Sequence, residues 1–410
     1  MDCGLWTSRP PLRPVARKWR SGLARCRFLG VTAPSLRRII IESTVTGTEM
    51  AAAIRRNAGR IEVSVESPEA IESLVRCPGP GDGKHVLLAR HFRGRFLKQC
   101  QGLKPCYSCC GLHTVAEGNN CAMECSYCIL QYYMTTPYVS VFANMGDLQT
   151  EIADAALREP RRIFRITTGE LSDSLLFDSL TESTKTLVPF AKGLANVILE
   201  IKTKTDNVEN LLSLDHGQRV VVSWSVNPPE VIEKEELKTA RLQERLRAAA
   251  AVSRQGYPVG FHLDPLIHYP SWREGYTRLL DSLLDAVSPE RIAWISMGSF
   301  RFPFEMKALL ESRFPRSRLR YGELVRCADG KMRYLRPIRL EMYRALAEHL
   351  LGRLRGAPSV PLLYLCMEPP EVWQRVFGSA APGMRELDHR FAESYAMRFS
   401  GAGLPRPDLA

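Results

Sequence analysis

Three cysteines are the residues whose type and spacing point most directly to chemistry. Cys121, Cys125 and Cys128 follow the spacing CxxxCxxC. Three thiolates on one loop can hold three corners of a cubane iron–sulfur cluster, which usually has four Cys ligands. The fourth iron would then be open to a small chelating cofactor, as in catalytic metal sites that keep an open position. A zinc site completed by His113 or Cys110 is the alternative.

A second group of thiols lies immediately before this motif. Seven of the twelve cysteines fall within residues 100–128. Four of them precede the motif: Cys100, Cys106, Cys109 and Cys110. This group could form an auxiliary metal site, supply a reactive thiol or be a packed set of reduced cysteines. The other cysteines, including Cys366, are scattered, which favours small buried side chains.

The composition excludes several classes of protein. The chain has 410 residues, of which 45% are hydrophobic and 24% are charged, and this excludes a disordered or collagen-like chain. No apolar run reaches the ~18 residues that a membrane-spanning helix needs, so we expect no membrane partner. Twelve cysteines without a secretory signal favour a reducing compartment, and we predict a cytoplasmic location.

The net charge of +12 is concentrated at the start of the chain. Residues 1–60 contain twelve Arg and Lys against three acidic residues, so the other 350 residues carry 44 basic and 41 acidic side chains. The overall charge is therefore a weak argument for nucleic-acid binding. The composition of residues 1–60 predicts a basic, disordered extension.

The elements that must position the cysteines alternate between short β-branched runs and longer amphipathic runs. Strands are predicted at 112–117, 163–168, 197–203, 219–226, 257–263, 292–297 and 361–366. Helices are predicted at 146–158, 182–194, 229–255, 272–287, 303–314 and 337–353. Repeated βα units predict a parallel sheet covered by helices, with the chemistry at the carboxyl ends of the strands.

The predicted fold class is α/β, with a partial (β/α)6 TIM-like barrel at residues 111–377. A small N-terminal α+β region at 61–110 and a C-terminal tail at 378–410 complete the domain prediction. A doubly wound open sheet is the alternative.

Residues 322–337 predict a β-hairpin that projects from the barrel. Two strand-like runs flank Asp329-Gly330, a strong hairpin-turn signal. Arg326, Lys331 and Arg333 alternate with the aromatic Tyr334, a pattern that could contact phosphates and lie beside an extruded base. A solvated hairpin with ordinary surface charges is the alternative.

Several separate motifs resemble a known family. The CxxxCxxC loop resembles the radical S-adenosylmethionine (SAM) superfamily. From about residue 95 to 377 the chain is similar to the spore photoproduct lyase family. The motifs that support this resemblance are, in order, CSYCILQYYMTTPYVSVFAN, ITTGELSDSL, LEIKTKTDNVENLL, VSWSVNPPEVI, GYPVGFHLDPLIHY and WREGY.

The resemblance implies a [4Fe–4S] cluster on the three cysteines, with SAM on the fourth iron. Reduction of the cluster would cleave SAM to a 5′-deoxyadenosyl radical, and the protein would position the cofactor and exclude water. The residues that match the family's SAM contacts are Tyr127, Thr168, Gly169, Ser172, Lys204, Ser225 and Asp264. Independently of the resemblance, Glu200, Lys202 and Lys204 share parity on one predicted strand, and a polar row of this kind suits a barrel lumen.

The chain departs from the family at two positions. Glu170 lies where the family has the cysteine that donates a hydrogen atom to the repaired thymine, and Ile129 replaces a tyrosine. Glu170 is therefore the predicted catalytic residue, in a proton or SAM-orienting role. His262, Asp264 and His268 could also form a metal site, although a strand-end histidine is more often structural.

The resemblance implies a pyrimidine photolesion in double-stranded DNA as the substrate. It also implies an electron donor such as flavodoxin or ferredoxin, and we expect a monomer. Two alternatives stay open: a radical SAM enzyme that acts on another substrate, and a nucleic-acid-binding protein whose cluster is structural or redox-sensing.

Overall fold

A computed structural model describes residues 36–76 and 83–405. Its strands are β1 (Arg38–Glu42), β2 (Glu62–Glu66), β3 (Val86–Arg90), β4 (Leu97–Gln99), β5 (His113–Val115), β6 (Gly118–Asn119), β7 (Glu124–Cys125), β8 (Val139–Phe142), β9 (Phe164–Thr167), β10 (Val197–Thr203), β11 (Val220–Ser225), β12 (Glu236–Leu237), β13 (Val259–Leu266), β14 (Ile292–Ser299), β15 (Arg301–Pro303), β16 (Leu324–Arg326), β17 (Lys331–Tyr334) and β18 (Leu362–Leu365).

Thirteen α-helices accompany these strands in the described ranges. They are α1 (Glu49–Asn57), α2 (Pro68–Arg76), α3 (Leu130–Tyr133), α4 (Met145–Arg158), α5 (Asp178–Thr181), α6 (Ser183–Gly193), α7 (Pro229–Glu235), α8 (Leu242–Arg254), α9 (Trp272–Ala286), α10 (Met306–Arg313), α11 (Arg336–Arg353), α12 (Pro370–Phe377) and α13 (Met384–Arg398). None of the described helices is both long and apolar enough to cross a membrane.

The main sheet has eight strands in the order β18-β14-β13-β11-β10-β9-β5-β4 and curls into an open half-barrel. Neighbours from β5 to β18 are parallel, and β4 is antiparallel at the edge. All seven predicted strands belong to this sheet, so the predicted α/β half-barrel is confirmed. Its strands are apolar because both faces are covered, as in β11, in which every residue is buried.

The two faces of the half-barrel are chemically different. Side chains of Ser223, His262 and Trp294 reach Glu200 from three other strands, which is possible only on the concave face. Lys202 has the same parity as Glu200 and therefore lies on this face too. We call this concave face the lumen. Trp224 and Phe261 have the opposite parity and are buried under the helices.

A second, five-stranded sheet has the order β2-β1-β3-β8-β6. It corrects the prediction that residues 1–60 form a disordered extension, because β1 is an inner strand between β2 and β3, and Ile39, Ile40 and Ile41 are buried. Residues 1–35 lie outside the described residues. The predicted boundary at residue 110 is also wrong, since β4 belongs to the half-barrel while β8 belongs to the second sheet.

The C-terminal segment is part of the fold, which corrects the predicted tail at 378–410. In α13, Phe391 is buried and Asp388 pairs with Arg165 of β9 at 3.6 Å. The Phe391 ring also packs edge-on against Trp294 of β14, with centroids 5.9 Å apart. The helix therefore covers one end of the half-barrel. Residues 406–410 lie outside the described ranges.

Two further elements differ in detail from their prediction. The predicted helix at 229–255 is two helices, α7 and α8, because Glu236 and Leu237 form β12 and pair with β7 in the cysteine loop. The predicted hairpin is present as β16 and β17, with Gly330 at φ 81° in its turn. β15 pairs with β17 and makes a three-stranded sheet of it.

Candidate cofactor and substrate site

The cysteine loop lies beyond the carboxyl end of β5. Cys125 is buried in β7, whereas Cys121 and Cys128 are partly exposed, and all three thiols are free. Burial raises the pKa of Cys121 to about 12 and raises the pKa values of Cys125 and Cys128 as well. The thiols therefore stay protonated until a metal displaces the protons.

Hydrogen bonds from the rest of the fold hold this loop in place. Asn120 accepts a hydrogen bond from the Cys121 amide at 2.8 Å and donates to the Thr136 carbonyl at 3.2 Å. The side chain of Gln131 donates to the Cys125 carbonyl at 2.6 Å. The backbones of Met123, Leu130 and Gln131 act on Cys121 and Cys128 and lower the pKa values of these thiols against the effect of burial. The loop is thus preorganised, with donors that suit anionic sulfur.

Two lysines flank the loop. Lys84 donates to the Met123 carbonyl at 2.5 Å and acts electrostatically on Cys121 and Cys128. Lys204 acts on Cys125 and Cys128. A cluster on three thiolates would be anionic, so both cations fit such a group. Lys84 was missed in the sequence because it precedes the motif by a long stretch of chain and has no signal of its own.

Two of the histidines considered as metal ligands have other partners in the fold. His113 packs its ring against Phe164 instead, with centroids 5.4 Å apart. His262 uses both ring nitrogens within the lumen, at 2.7 Å from Glu200 and 2.7 Å from Ser296, which favours its structural interpretation.

Tyr127 and Lys204 meet at a buried carboxylate that the sequence did not reveal. The Tyr127 hydroxyl donates to Glu236, and Lys204 Nζ lies 3.9 Å from Glu236 Oε1 and 5.7 Å from the centre of the Tyr127 ring. Arg245 pairs with the other Glu236 oxygen at 2.6 Å. Burial alone would raise the pKa of Glu236, but Arg245 and Lys204 lower it to about 2. Glu236 is therefore a fixed negative charge.

The loop after β9 brings the next predicted SAM contacts to the same place. Thr168 is buried, and its hydroxyl lies 2.6 Å from that of Ser174. Gly169 has φ 77°, and a Cβ there would lie 2.8 Å from the Lys202 carbonyl, so only glycine fits. Ser172 lines a cavity with Glu117 and Asp173.

Asp173 joins this loop to the cysteines and to Lys204. Its carboxylate accepts hydrogen bonds from the Lys204 amide at 2.7 Å and the Thr203 hydroxyl at 2.8 Å, and it acts electrostatically on Cys121. Ser225, at the carboxyl end of β11, is buried, and its carbonyl accepts a hydrogen bond from Arg245 at 2.8 Å. Three strand ends and the cysteine loop therefore meet at one edge of the half-barrel.

Asp264 has a partner that the sequence analysis missed. Arg301 donates two hydrogen bonds to its carboxylate, both at 2.9 Å. Burial would raise the pKa of Asp264, but Arg301 lowers it to about 2. Arg301 is on a separate strand, and nothing in its local sequence marks it. The bidentate pair sets one wall of the lumen.

The second thiol group lies beside the Asp264–Arg301 pair. Cys100, Cys109 and Cys110 line one cavity together with Cys366, which the sequence analysis treated as isolated. Burial raises the pKa of Cys100 to about 11, and Glu170 and Lys202 act on it electrostatically. Arg301 Nη2 lies 3.7 Å from the Cys366 sulfur. Protonated thiols are thus adjacent to Glu170 and Asp264.

The hairpin presents fewer surface groups than predicted. Arg333 is 1% exposed and Tyr334 2% exposed. Arg333 donates to Asp329 and to the Tyr107 hydroxyl, both at 2.9 Å, and Tyr334 accepts from the His268 amide at 3.1 Å. Neither side chain is free to contact a phosphate or a base, which corrects that expectation. Arg326 is exposed and Lys331 half-buried, so these two positions alone of the four could make such contacts.

A parallel half-barrel with a CxxxCxxC loop beyond its first strand defines the radical SAM fold. The family is more specific. A model of the spore photoproduct lyase family matches residues 111–337, and this chain belongs to that family. The solved structures agree: spore photoproduct lyase complexed with dinucleoside spore photoproduct has a TM-score of 0.69 at 22% identity, covering 82% of this chain and 99% of that one.

The relatives align over part of their length. Spore photoproduct lyase of Bacillus subtilis is 28% identical over 216 residues, which is 52% of this chain and 63% of the relative. The chain thus matches a little under two thirds of that protein. The enzyme of Clostridium acetobutylicum is 22% identical over 290 residues, 69% of this chain and 84% of the relative. A mutant lyase with bound AdoMet (SAM) and dinucleoside spore photoproduct has a TM-score of 0.68 at 21% identity, over 80% and 98%.

Proposed function

We propose that this protein is a radical SAM enzyme that acts on a pyrimidine photolesion in DNA. The observation that supports it most strongly is the meeting of the cysteine loop, Lys204 and Asp173 at one edge of the half-barrel.

Free, protonated thiols fit a reducing compartment, so we also propose a cytoplasmic location.

Cys121, Cys125 and Cys128 would hold a [4Fe–4S] cluster, with SAM on its fourth iron. When bound and reduced, this pair would supply a 5′-deoxyadenosyl radical. The chain's own residues would do the positioning. Lys204, freed from its long contact with Glu236, would pair with the SAM carboxylate, and the face of Tyr127 would lie against the adenosyl group.

The lumen would receive the lesion. Arg301 and Asp264 form one wall, and the thiol cavity of Cys100 and Cys366 forms another. Arg326 and Lys331 of the hairpin would contribute phosphate contacts. The finding of dinucleoside spore photoproduct on related lyases supports this class of substrate.

The experiment uses anaerobically reconstituted protein with dithionite and SAM. We expect 5′-deoxyadenosine, and we expect loss of the lesion from a dinucleoside spore photoproduct or from irradiated DNA. Undamaged DNA is the control substrate and Cys125→Ala the control protein. Formation of neither product by iron-loaded protein would contradict the proposal.

A second candidate is a radical SAM enzyme for another substrate, and Glu170 favours it. A carboxylate does not readily donate a hydrogen atom, yet it lies where the family has its donor thiol, beside the different thiol of Cys100. This candidate would be supported if the protein forms 5′-deoxyadenosine, if damaged DNA does not raise the rate of its formation, and if the lesion is not lost.

A further inference from the structure

A basic, aromatic surface lies on the outside of the cysteine loop. Arg313, Arg316 and Arg318 are exposed. Tyr132 is 41% exposed and Tyr133 is 52% exposed, and they lie four and five residues after the last cysteine of the motif. We call these five residues the arginine surface. None of them has a role in the site described above.

Hydrogen bonds place this surface over the cysteine loop. The Ser126 amide donates to the Glu235 carbonyl at 2.8 Å, and the Ser126 hydroxyl donates to the Glu235 carboxylate. The Ser317 side chain and the Arg318 backbone also act on this carboxylate and lower its pKa against the effect of burial. Residues 317–318 therefore lie next to Ser126, which is between two of the cluster cysteines.

Packing and charge also place helix α10 beside the cysteine loop. Helix α10, which ends at Arg313, packs against α3, which begins two residues after Cys128. Arg313 acts electrostatically on Lys84, which contacts the cysteine loop, and on Glu124, which belongs to the loop. Helix α10 and the start of α3 therefore lie together beside the loop that carries the partly exposed Cys128.

The charges of this surface are not neutralised within the protein. In the part of the chain that the structure describes, no carboxylate lies within 4.0 Å of the guanidinium of Arg313, Arg316 or Arg318. Unpaired like charges on one surface create a positive potential that steers an acidic partner. Arg and Tyr are also the residue types that most often supply binding energy at protein interfaces.

We propose that the arginine surface is the docking site of an acidic electron-donor protein with a flavin or iron–sulfur centre. The inference rests on the proposed function, because a cluster on this loop must be reduced before SAM is cleaved. One electron passes from the reduced donor to the cluster, the donor is oxidised by one electron, and no covalent bond changes. Its place over the loop favours a redox partner over nucleic acid.

The test uses the reconstituted protein with reduced flavodoxin as the probe. The variant is Arg313→Glu/Arg316→Glu/Arg318→Glu. The matched control, Arg247→Glu/Arg254→Glu/Arg278→Glu, reverses three exposed arginines on α8 and α9. We measure the Kd for flavodoxin and the second-order rate of cluster bleaching at low and high salt. Photoreduction by deazaflavin, a small donor that needs no docking, is measured alongside.

We expect the first triple variant to be reduced by flavodoxin at least about tenfold more slowly than the wild type at low salt. The rate of its reduction by flavodoxin should lose most of its salt dependence, while the rate of its reduction by deazaflavin should equal that of the wild type. The control variant should be reduced by flavodoxin at the wild-type rate. If the triple variant does not fold, Arg316→Glu/Arg318→Glu is tested in the same way.

Equal flavodoxin rates in both triple variants would overturn the inference, as would failure of the wild type to bind either flavodoxin or ferredoxin. Loss of duplex DNA affinity with unchanged flavodoxin reduction would assign the surface to nucleic acid instead. Failure of the proposed function has a different signature: the wild type would then make no 5′-deoxyadenosine even after deazaflavin reduction, whatever its flavodoxin Kd.

Discussion

Glu236 is the residue on which the polar groups behind the cysteine loop converge. It accepts hydrogen bonds from Tyr127, Asn227 and Arg245, and one of its oxygens lies 3.9 Å from the Lys204 ammonium. Arg245 satisfies its charge at 2.6 Å, whereas Lys204 lies 3.9 Å away. Glu236 therefore positions the Lys204 ammonium but does not form a close ion pair with it. The ammonium can still bind an anionic ligand.

Lys204→Ala should weaken SAM binding and leave the cluster intact. A charge-assisted pair in a site that excludes water fixes a carboxylate ligand, and its loss removes about 1.5–3 kcal/mol of binding free energy. Titration of SAM into reconstituted protein measures this, with the exposed Lys192→Ala as the control. Unchanged SAM affinity in Lys204→Ala would remove this residue from the site.

Glu117 predicts a pH dependence of stability. Burial, together with Asp173 and Asp178, raises its pKa to about 8 from the ordinary 4.5. Because the folded state holds a proton that the unfolded state has lost, stability falls as the pH rises from about 4.5 to 8, by at most about 1.4 kcal/mol per pH unit.

Urea unfolding of the apoprotein at pH 5, 6.5 and 8 tests this expectation. Glu117→Gln cannot ionise, so the variant should be more stable than the wild type at pH 8 and similar to it at pH 5. The same difference between the two proteins at all three pH values would show that Glu117 does not titrate in this range.

At the scale of elements, the hairpin is held by a buried ion pair. Arg333 and Asp329 are 2.9 Å apart with side chains 1% exposed, and Glu368 lies 4.0 Å from the same guanidinium. Arg333→Ala leaves the buried Asp329 carboxylate without its cation and should lower the free energy of unfolding by about 3 kcal/mol. Glu368 keeps its pair with Arg339. The exposed Arg326→Ala should change it by less than about 0.5 kcal/mol.

Urea unfolding separates these two hairpin variants. If Arg333→Ala proved as stable as Arg326→Ala and instead lost affinity for duplex DNA, the buried placement of Arg333 would be wrong and its predicted phosphate contact would be restored.

The elements that the sequence predicted well are those with a local pattern. The seven strands of the half-barrel are short apolar runs bounded by turn residues, because both of their faces are covered. The cysteine loop and the SAM-contact positions were found through their motifs. In contrast, Lys84, Arg301 and Cys366 reach the site from distant strands and loops, and no periodicity encodes such contacts.

The same reasoning explains the errors. Arg333 alternates with its neighbours as a surface residue would, but its cover comes from Tyr107 and Glu368, far along the chain. The apolar run of β1 was hidden because it lies between basic stretches, and the average charge of residues 1–60 concealed three buried isoleucines.

At the scale of the whole molecule, the C-terminal helix α13 covers one end of the half-barrel. Phe391 of α13 lies under the Arg165 guanidinium, 3.5 Å from ring centre to carbon, and beside Tyr364 at 4.9 Å. Phe391→Ala should therefore cost about 3 kcal/mol of unfolding free energy. Met397→Ala, at a residue of α13 that is 78% exposed, should cost almost nothing. Equal, small effects in thermal or urea unfolding would show that α13 is not part of the core.

The central claim is that three thiols of one loop leave an iron of a cubane cluster open to SAM. The most direct measurement is iron content together with the EPR spectrum of the reduced protein before and after SAM is added. We predict about four irons per chain and a spectrum that changes with SAM, and neither feature in Cys128→Ala. Iron-free protein, zinc held by the same thiols, or a cluster whose spectrum ignores SAM would contradict the account.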